Sequence, residues 1–100
     1  MNKPEFIIKE TSWLAKIAAK KLRSSNVAMV LGKTIHLSGV SKTDFLADEK
    51  WVKHELCHIK QFKQYGYFNF IVKYLWGSLR KGYYNNRFEV EARNAEAQCY

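Results

Sequence analysis

Disulfides cannot scaffold this chain. Its 100 residues include only two cysteines, Cys57 and Cys99, too few for a cross-linked secreted domain; they fit a reducing compartment, with room for one bond. Proline and glycine are scarce, at 1 and 5 residues. No Pro/Gly-rich linker, internal repeat or low-complexity tract divides the sequence, so residues 1–100 read as one domain. Long apolar runs are missing as well. The most apolar stretch, YFNFIVKYLWGSL from Tyr67 to Leu79, is broken by Asn69 and Lys73 and falls short of the roughly 20 residues that cross a bilayer. The opening MNKPEFIIKE sets Lys3, Glu5, Lys9 and Glu10 around a short apolar run, which does not make a signal peptide. These absences point to a soluble, cytoplasmic protein.

Hydrophobic residues make up 47% and aromatics 15%, enough to fill a single modest core and to exclude a disordered segment. The net charge of +8 attracts nucleic acid or an anionic membrane surface in principle. The 13 lysines are dispersed, however, with no block longer than Lys20-Lys21. That pattern describes a solvated face better than a docking stripe. No nucleic-acid partner is therefore expected, and membrane contact is expected to be weak.

The periodicities predict an α+β domain: a helix, a β-hairpin, then three helices. TSWLAKIAAKKL puts Leu14, Ile17, Ala18 and Leu22 on one stripe behind a Ser/Thr cap. NVAMVLGKTIHLSG supplies two β-branched runs, Val27 to Leu31 and Thr34 to Leu37, joined by Gly32-Lys33. A long helix is expected from about Ala47 to Tyr65, stopped by Gly66. A buried aromatic helix should cover roughly Phe68 to Leu79. A last helix should run from Arg87 to near Cys99, capped by Asn86.

The long helix carries HELCH, His54 to His58. At about 100° per residue from Trp51, His54 and His58 fall near 300° and 340°, beside a core stripe of Val52, Leu56, Ile59 and Phe62. Residues four apart bring their Cβ atoms within about 5–6 Å, so two imidazoles can converge on one zinc ion. Glu55, near 40°, can reach water activated at the metal without being a ligand, as H-E-x-x-H chemistry requires. By composition alone the pentapeptide arises in roughly one such sequence in 160; here it also sits inside a marked helix. Cys57, near 240°, reads as packing.

Zinc needs a third protein ligand. The candidates lie in NNRFEVEARNAEA: Glu89, Glu91 and Glu96. Asn86-x-x-Glu89 also has capping spacing, so Glu89 has a structural alternative, with Glu91 as reserve ligand. HELCH followed by FEVEA resembles the gluzincin clan of zinc metallopeptidases. The nearest pattern is that of the CAAX-prenyl-protease and heat-shock membrane-protease group, in a minimal soluble, zincin-like form. The resemblance covers about Thr34 to Ala97. It implies that His54, His58 and Glu89 are zinc ligands and that Glu55 is the base. It also implies a peptide or protein substrate lying along an edge strand, for which KTIHL is the candidate, with His36 near the site or facing outward. Tyr65, Tyr83 and Tyr84 are available to stabilise an oxyanion.

One departure stands out. Arg93 occupies the place of an aspartate that would orient a ligand histidine, and arginine accepts no hydrogen bond. Either Glu91, Glu96 or a backbone carbonyl takes that role, or the metal site is weakened; Arg93 is instead placed to steady Glu89, one turn before it. The alternative functions are a metal-binding domain of the same fold without turnover and a basic nucleic-acid-binding module.

Overall fold

The computed structural model describes residues 6–23 and 25–96. Three strands and five helices follow in the order β1 (Ile7–Lys9), α1 (Trp13–Leu22), β2 (Val27–Leu31), β3 (Thr34–Ser38), α2 (Lys42–Ala47), α3 (Glu49–Tyr65), α4 (Tyr67–Asn85) and α5 (Arg87–Ala95). The α+β class and the hairpin match the sequence reading, which missed β1 and α2.

The hairpin closes as expected, with Leu31 opposite Thr34 across Gly32-Lys33. Gly32 takes φ of 66°, which glycine adopts without a Cβ clash. Strand order is β1-β3-β2, with β1 parallel and β2 antiparallel to β3. KTIHL is therefore the central strand and not the edge. Its residues Ile35 and Leu37 are fully buried in the core that α3 lays on the sheet. The edge strand facing the helices is β2.

The long helix begins later than expected. Asp48 ends α2 and caps α3, accepting from the Trp51 amide at 3.1 Å; a carboxylate there satisfies an otherwise unpaired first-turn N–H. Helix α3 lays Val52, Leu56, Ile59 and Phe62 against the sheet, joined by Phe45, Phe70 and Phe88. Each such side chain contributes about 1.5–3 kcal/mol when fully buried. Phe62 and Phe70 meet edge to face at 4.5 Å, and Phe70 and Phe88 at 4.9 Å.

Two helices depart from their expected faces. Among the described side chains of α1 the buried one is Ala15, while Ile17 is half exposed. Ser12 stands at the cap position, but its hydroxyl bonds His36 Nδ1 at 2.9 Å instead of capping the helix. The aromatic helix is not buried. Of α4 only Phe70 lies in the core, because the helix packs on α3 and α5 along one side alone. At Gly82, φ of 82° and ψ of 162° break the helix. The bend turns Tyr83 and Tyr84 back toward α5. Asn86 locks that corner: its Oδ1 caps α5 at the Phe88 amide, and its Nδ2 donates to the Tyr74 carbonyl at 2.8 Å and to Ser78 Oγ at 2.9 Å. Gly77 allows this approach, since a Cβ there would stand 3.3 Å from Asn86 Nδ2. The expected end of α5 near Cys99 lies outside the described residues. Among the described residues, no helix is long and apolar enough to cross a membrane.

Candidate metal centre

Helices α3 and α5 pack side by side, with Cys57 of one against Ala92 and Ala95 of the other. Small side chains at that seam let the backbones approach, which brings His54, His58 and Glu89 together. The donor atoms of all three lie within 4.8 Å of one another. His54 Nε2 is 3.0 Å from Glu89 Oε1, and His58 Nε2 is 3.2 Å from Glu89 Oε2. Around zinc, with bonds of roughly 2.0–2.1 Å, neighbouring donors in a tetrahedral set stand roughly 3.3 Å apart. The 3.0 and 3.2 Å contacts go to different oxygens of Glu89, so one carboxylate bridges the two rings. His58 and Glu89 are buried and His54 is partly so, which suits a site with one open side.

Behind each ring stands an acceptor. Glu96 Oε2 is 2.8 Å from His54 Nδ1, and Gln61 Oε1 is 2.9 Å from His58 Nδ1. The Gln61 amide nitrogen donates to the Phe88 carbonyl at 3.2 Å and to Glu91 Oε1 at 2.7 Å, so its oxygen is the atom left for His58. A carboxylate and an amide oxygen accept only, so both Nδ1 atoms carry a proton. Glu89 accepts only as well, so without an ion each Nε2 also carries a proton and donates to it; an ion bound there would take the place of those two protons.

Without an ion, the two rings and the carboxylate form a charged cluster. Burial works against charge on His54, but the hydrogen bonds it donates to Glu89 and Glu96 and the nearby Glu55 charge raise its pKa from 6.5 to about 9. His58 is shifted upward too, burial again being outweighed by Glu89, Glu55 and Gln61. Burial opposes ionisation of Glu89, yet the two histidines and a hydrogen bond donated by the Tyr74 hydroxyl hold its carboxyl well below the usual range. Glu55 responds in the opposite sense. Burial pushes its pKa up to about 7 against the pull of His58 and His54. It is 4% exposed.

Glu55 and the histidines sit between two hollows. One, of about 440 Å³, is walled mainly by β2, Phe62, Phe70, Ile71, Tyr74 and Leu75. The other, of about 490 Å³, is bordered by Asn26, Asp48, Lys50, Trp51 and Glu96. Both share Val27, Ala28, His54, Glu55 and Tyr83. They form a groove along the edge strand, crossing directly over the histidine–glutamate cluster.

Some expected residues are elsewhere. His36 is buried in the central strand and bonded to Ser12, and burial lowers its pKa; it reaches neither the groove nor solvent. Tyr65 packs on Phe88 and Phe70. Tyr84 is exposed and carries the Arg93 guanidinium 3.8 Å over its ring, while Arg93 Nη2 donates to the Tyr84 carbonyl at 2.6 Å. Arg93 thus fastens the α4–α5 corner and does not steady Glu89. Glu91 acts through Gln61 and not as a reserve ligand. Glu89 makes no cap: its carboxylate is used by His54, His58 and Tyr74.

Tyr83 alone of the three tyrosines borders the groove, and burial and the Glu89 charge raise its pKa. Tyr74 and Gln61 were not anticipated. Gln61 lies three residues after His58 on the α3 wheel between Cys57 and His54, a weak signal; Tyr74 gave none, since its helix reads as an aromatic core segment. Comparison with protein-family models, with curated proteins and with solved structures finds no match.

Proposed function

We propose that the protein is a zinc-dependent hydrolase of peptides or other amides, built as a minimal zincin-like domain. One observation carries the reading: two imidazole Nε2 atoms converge on a buried glutamate while both Nδ1 atoms are held from behind. His54, His58 and Glu89 would hold the ion. Zinc bound there supplies a polarised carbonyl and water acidic enough to ionise near neutrality.

The chain's own groups supply the rest. A general base must lie within reach of the proton it takes, and Glu55 borders the groove beside His54 and His58. Its carboxylate takes a proton from water as oxygen bonds to the amide carbon, then gives that proton to the departing amine as the C–N bond breaks. The Tyr83 hydroxyl stands at the groove as the donor for the developing oxyanion. Strand β2 offers backbone N–H and C=O groups to an extended peptide, and the apolar hollow beside it takes one substrate side chain. Arg93 does not leave His54 without an acceptor, because Glu96 stands there.

The test pairs metal analysis with one substitution. Protein purified without chelator should carry one zinc per chain. Glu55→Gln should keep the zinc and lose hydrolysis of an unstructured peptide by about 10²-fold or more. Protein that takes up no zinc overturns the reading. Zinc binding with no hydrolysis in either form would mark the second reading, a metal-binding domain without turnover.

A further inference from the structure

Helix α4 leaves its largest apolar residues in solvent. Phe68 and Leu79 are each 79% exposed, Val72 65%, Leu75 62% and Trp76 60%. At about 100° per residue these five fall within about 100° of arc, a continuous stripe opposite the side that Phe70 buries. Soluble monomers rarely leave a large contiguous apolar patch uncovered, so this face has an occupant.

The charges beside the stripe identify it. From Tyr67 to Asn85 the sequence has Lys73, Arg80 and Lys81 and no acidic residue. Lys73 and Arg80 border the stripe within about 60° of Trp76, and the Arg80 guanidinium lies 5.8 Å over the Trp76 ring. Long basic side chains beside Trp, Phe and Leu lie along an apolar surface and raise their charges to lipid headgroups. A second copy of the chain fits poorly: pairing two such faces would set basic borders against each other with no acid on either helix to neutralise them.

We propose that α4 docks on the surface of an anionic phospholipid bilayer, its stripe in the headgroup–acyl boundary and its basic border among the phosphates. The stripe continues through Leu75 into the 440 Å³ hollow, and Lys21 of α1 also lines that hollow. The docked face and the groove mouth are therefore contiguous. This inference stands independently of any catalytic reading of the metal centre.

Sedimentation of the full chain with vesicles tests it. The protein should partition onto phosphatidylcholine vesicles containing phosphatidylglycerol, and less onto phosphatidylcholine alone, with binding falling as salt rises. The double substitution Phe68→Ser and Leu79→Ser removes side chains that touch little of the core. It should leave the thermal melt unchanged and weaken partitioning on the order of tenfold or more. Lys73→Glu with Arg80→Glu should weaken binding to the anionic vesicles. The proposal is overturned if the wild-type chain stays in the supernatant at low salt. It is equally overturned if either double substitution leaves partitioning unchanged, or if the wild type is a dimer that the serine substitutions dissociate.

Discussion

Glu96 meets Nδ1 of His54 at 2.8 Å, and Glu89, two turns earlier on the same helix, meets Nε2 of that ring at 3.0 Å. One helix thus grips an imidazole at both nitrogens. The first contact sets the tautomer and the second lies where a ligand would. Glu96 stands three residues beyond Arg93, far enough along α5 to come round to the α3 side.

Glu96→Ala leaves all three candidate ligands in place, yet it should lower zinc affinity by about 10–100-fold, the usual effect of losing a histidine's outer partner. Competition with a chromophoric chelator measures it. An unchanged affinity would mean that another group orients His54.

Tyr74→Phe keeps the ring that packs near Phe70 and Phe88 and removes only the donor to Glu89. A hydrogen bond to an ionised group contributes about 1.5–3 kcal/mol, so urea denaturation of metal-free protein should show a loss of that order. No change would assign the hydroxyl no part in holding Glu89.

Metal-free protein should lose stability as pH rises from about 6.5 to about 9. His54 has its folded pKa raised to about 9, so the folded state binds the extra proton in that window. The contribution is complete below the unfolded value of 6.5 and gone above about 9. His58, also shifted upward, adds with the same sign. Zinc stabilisation should run the other way, growing with pH, because ligand imidazoles must be deprotonated. Melting temperatures measured with chelator and with zinc across this range check both. A metal-free melt that is flat or rises toward pH 9 would contradict the charged cluster.

Gly82→Ala places a Cβ on backbone with φ of 82° and ψ of 162°, a region almost confined to glycine, at a cost of about 1–3 kcal/mol. The space around it is open, so the strain is conformational and not a clash. The substitution should lower the thermal midpoint. It should also depress kcat/KM by shifting Tyr83, while zinc content holds. An unchanged kcat/KM alongside a lowered midpoint would remove Tyr83 from the reaction.

The histidine pair was legible because its geometry is local: four residues on one helix fix both spacing and face. Glu89 was singled out by the resemblance of FEVEA to the zincin pattern, while its place just inside a capped helix offered a structural alternative. Glu96 was already among the groups named to orient a histidine, whereas Gln61 and Tyr74 take their roles from how α4 and α5 lie against α3, which no single-helix wheel contains. Strand order was hidden likewise. β1 is a short parallel strand that needs the hairpin already formed, and its arrival moves KTIHL from edge to centre. The apolar content of α4 read as core, because composition alone does not show that only the Phe70 side finds protein to pack on.

Because the donors come from two helices, an ion held there acts as a clip between distant parts of the chain. His58 and Glu89 are 31 residues apart (89 − 58), and closing a loop of that size in an unfolded chain costs entropy that binding would offset only in the folded form. Helix α5 would then be the element whose amide hydrogen exchange slows most on metal loading, and docking of the C-terminal segment would report whether the protein is armed.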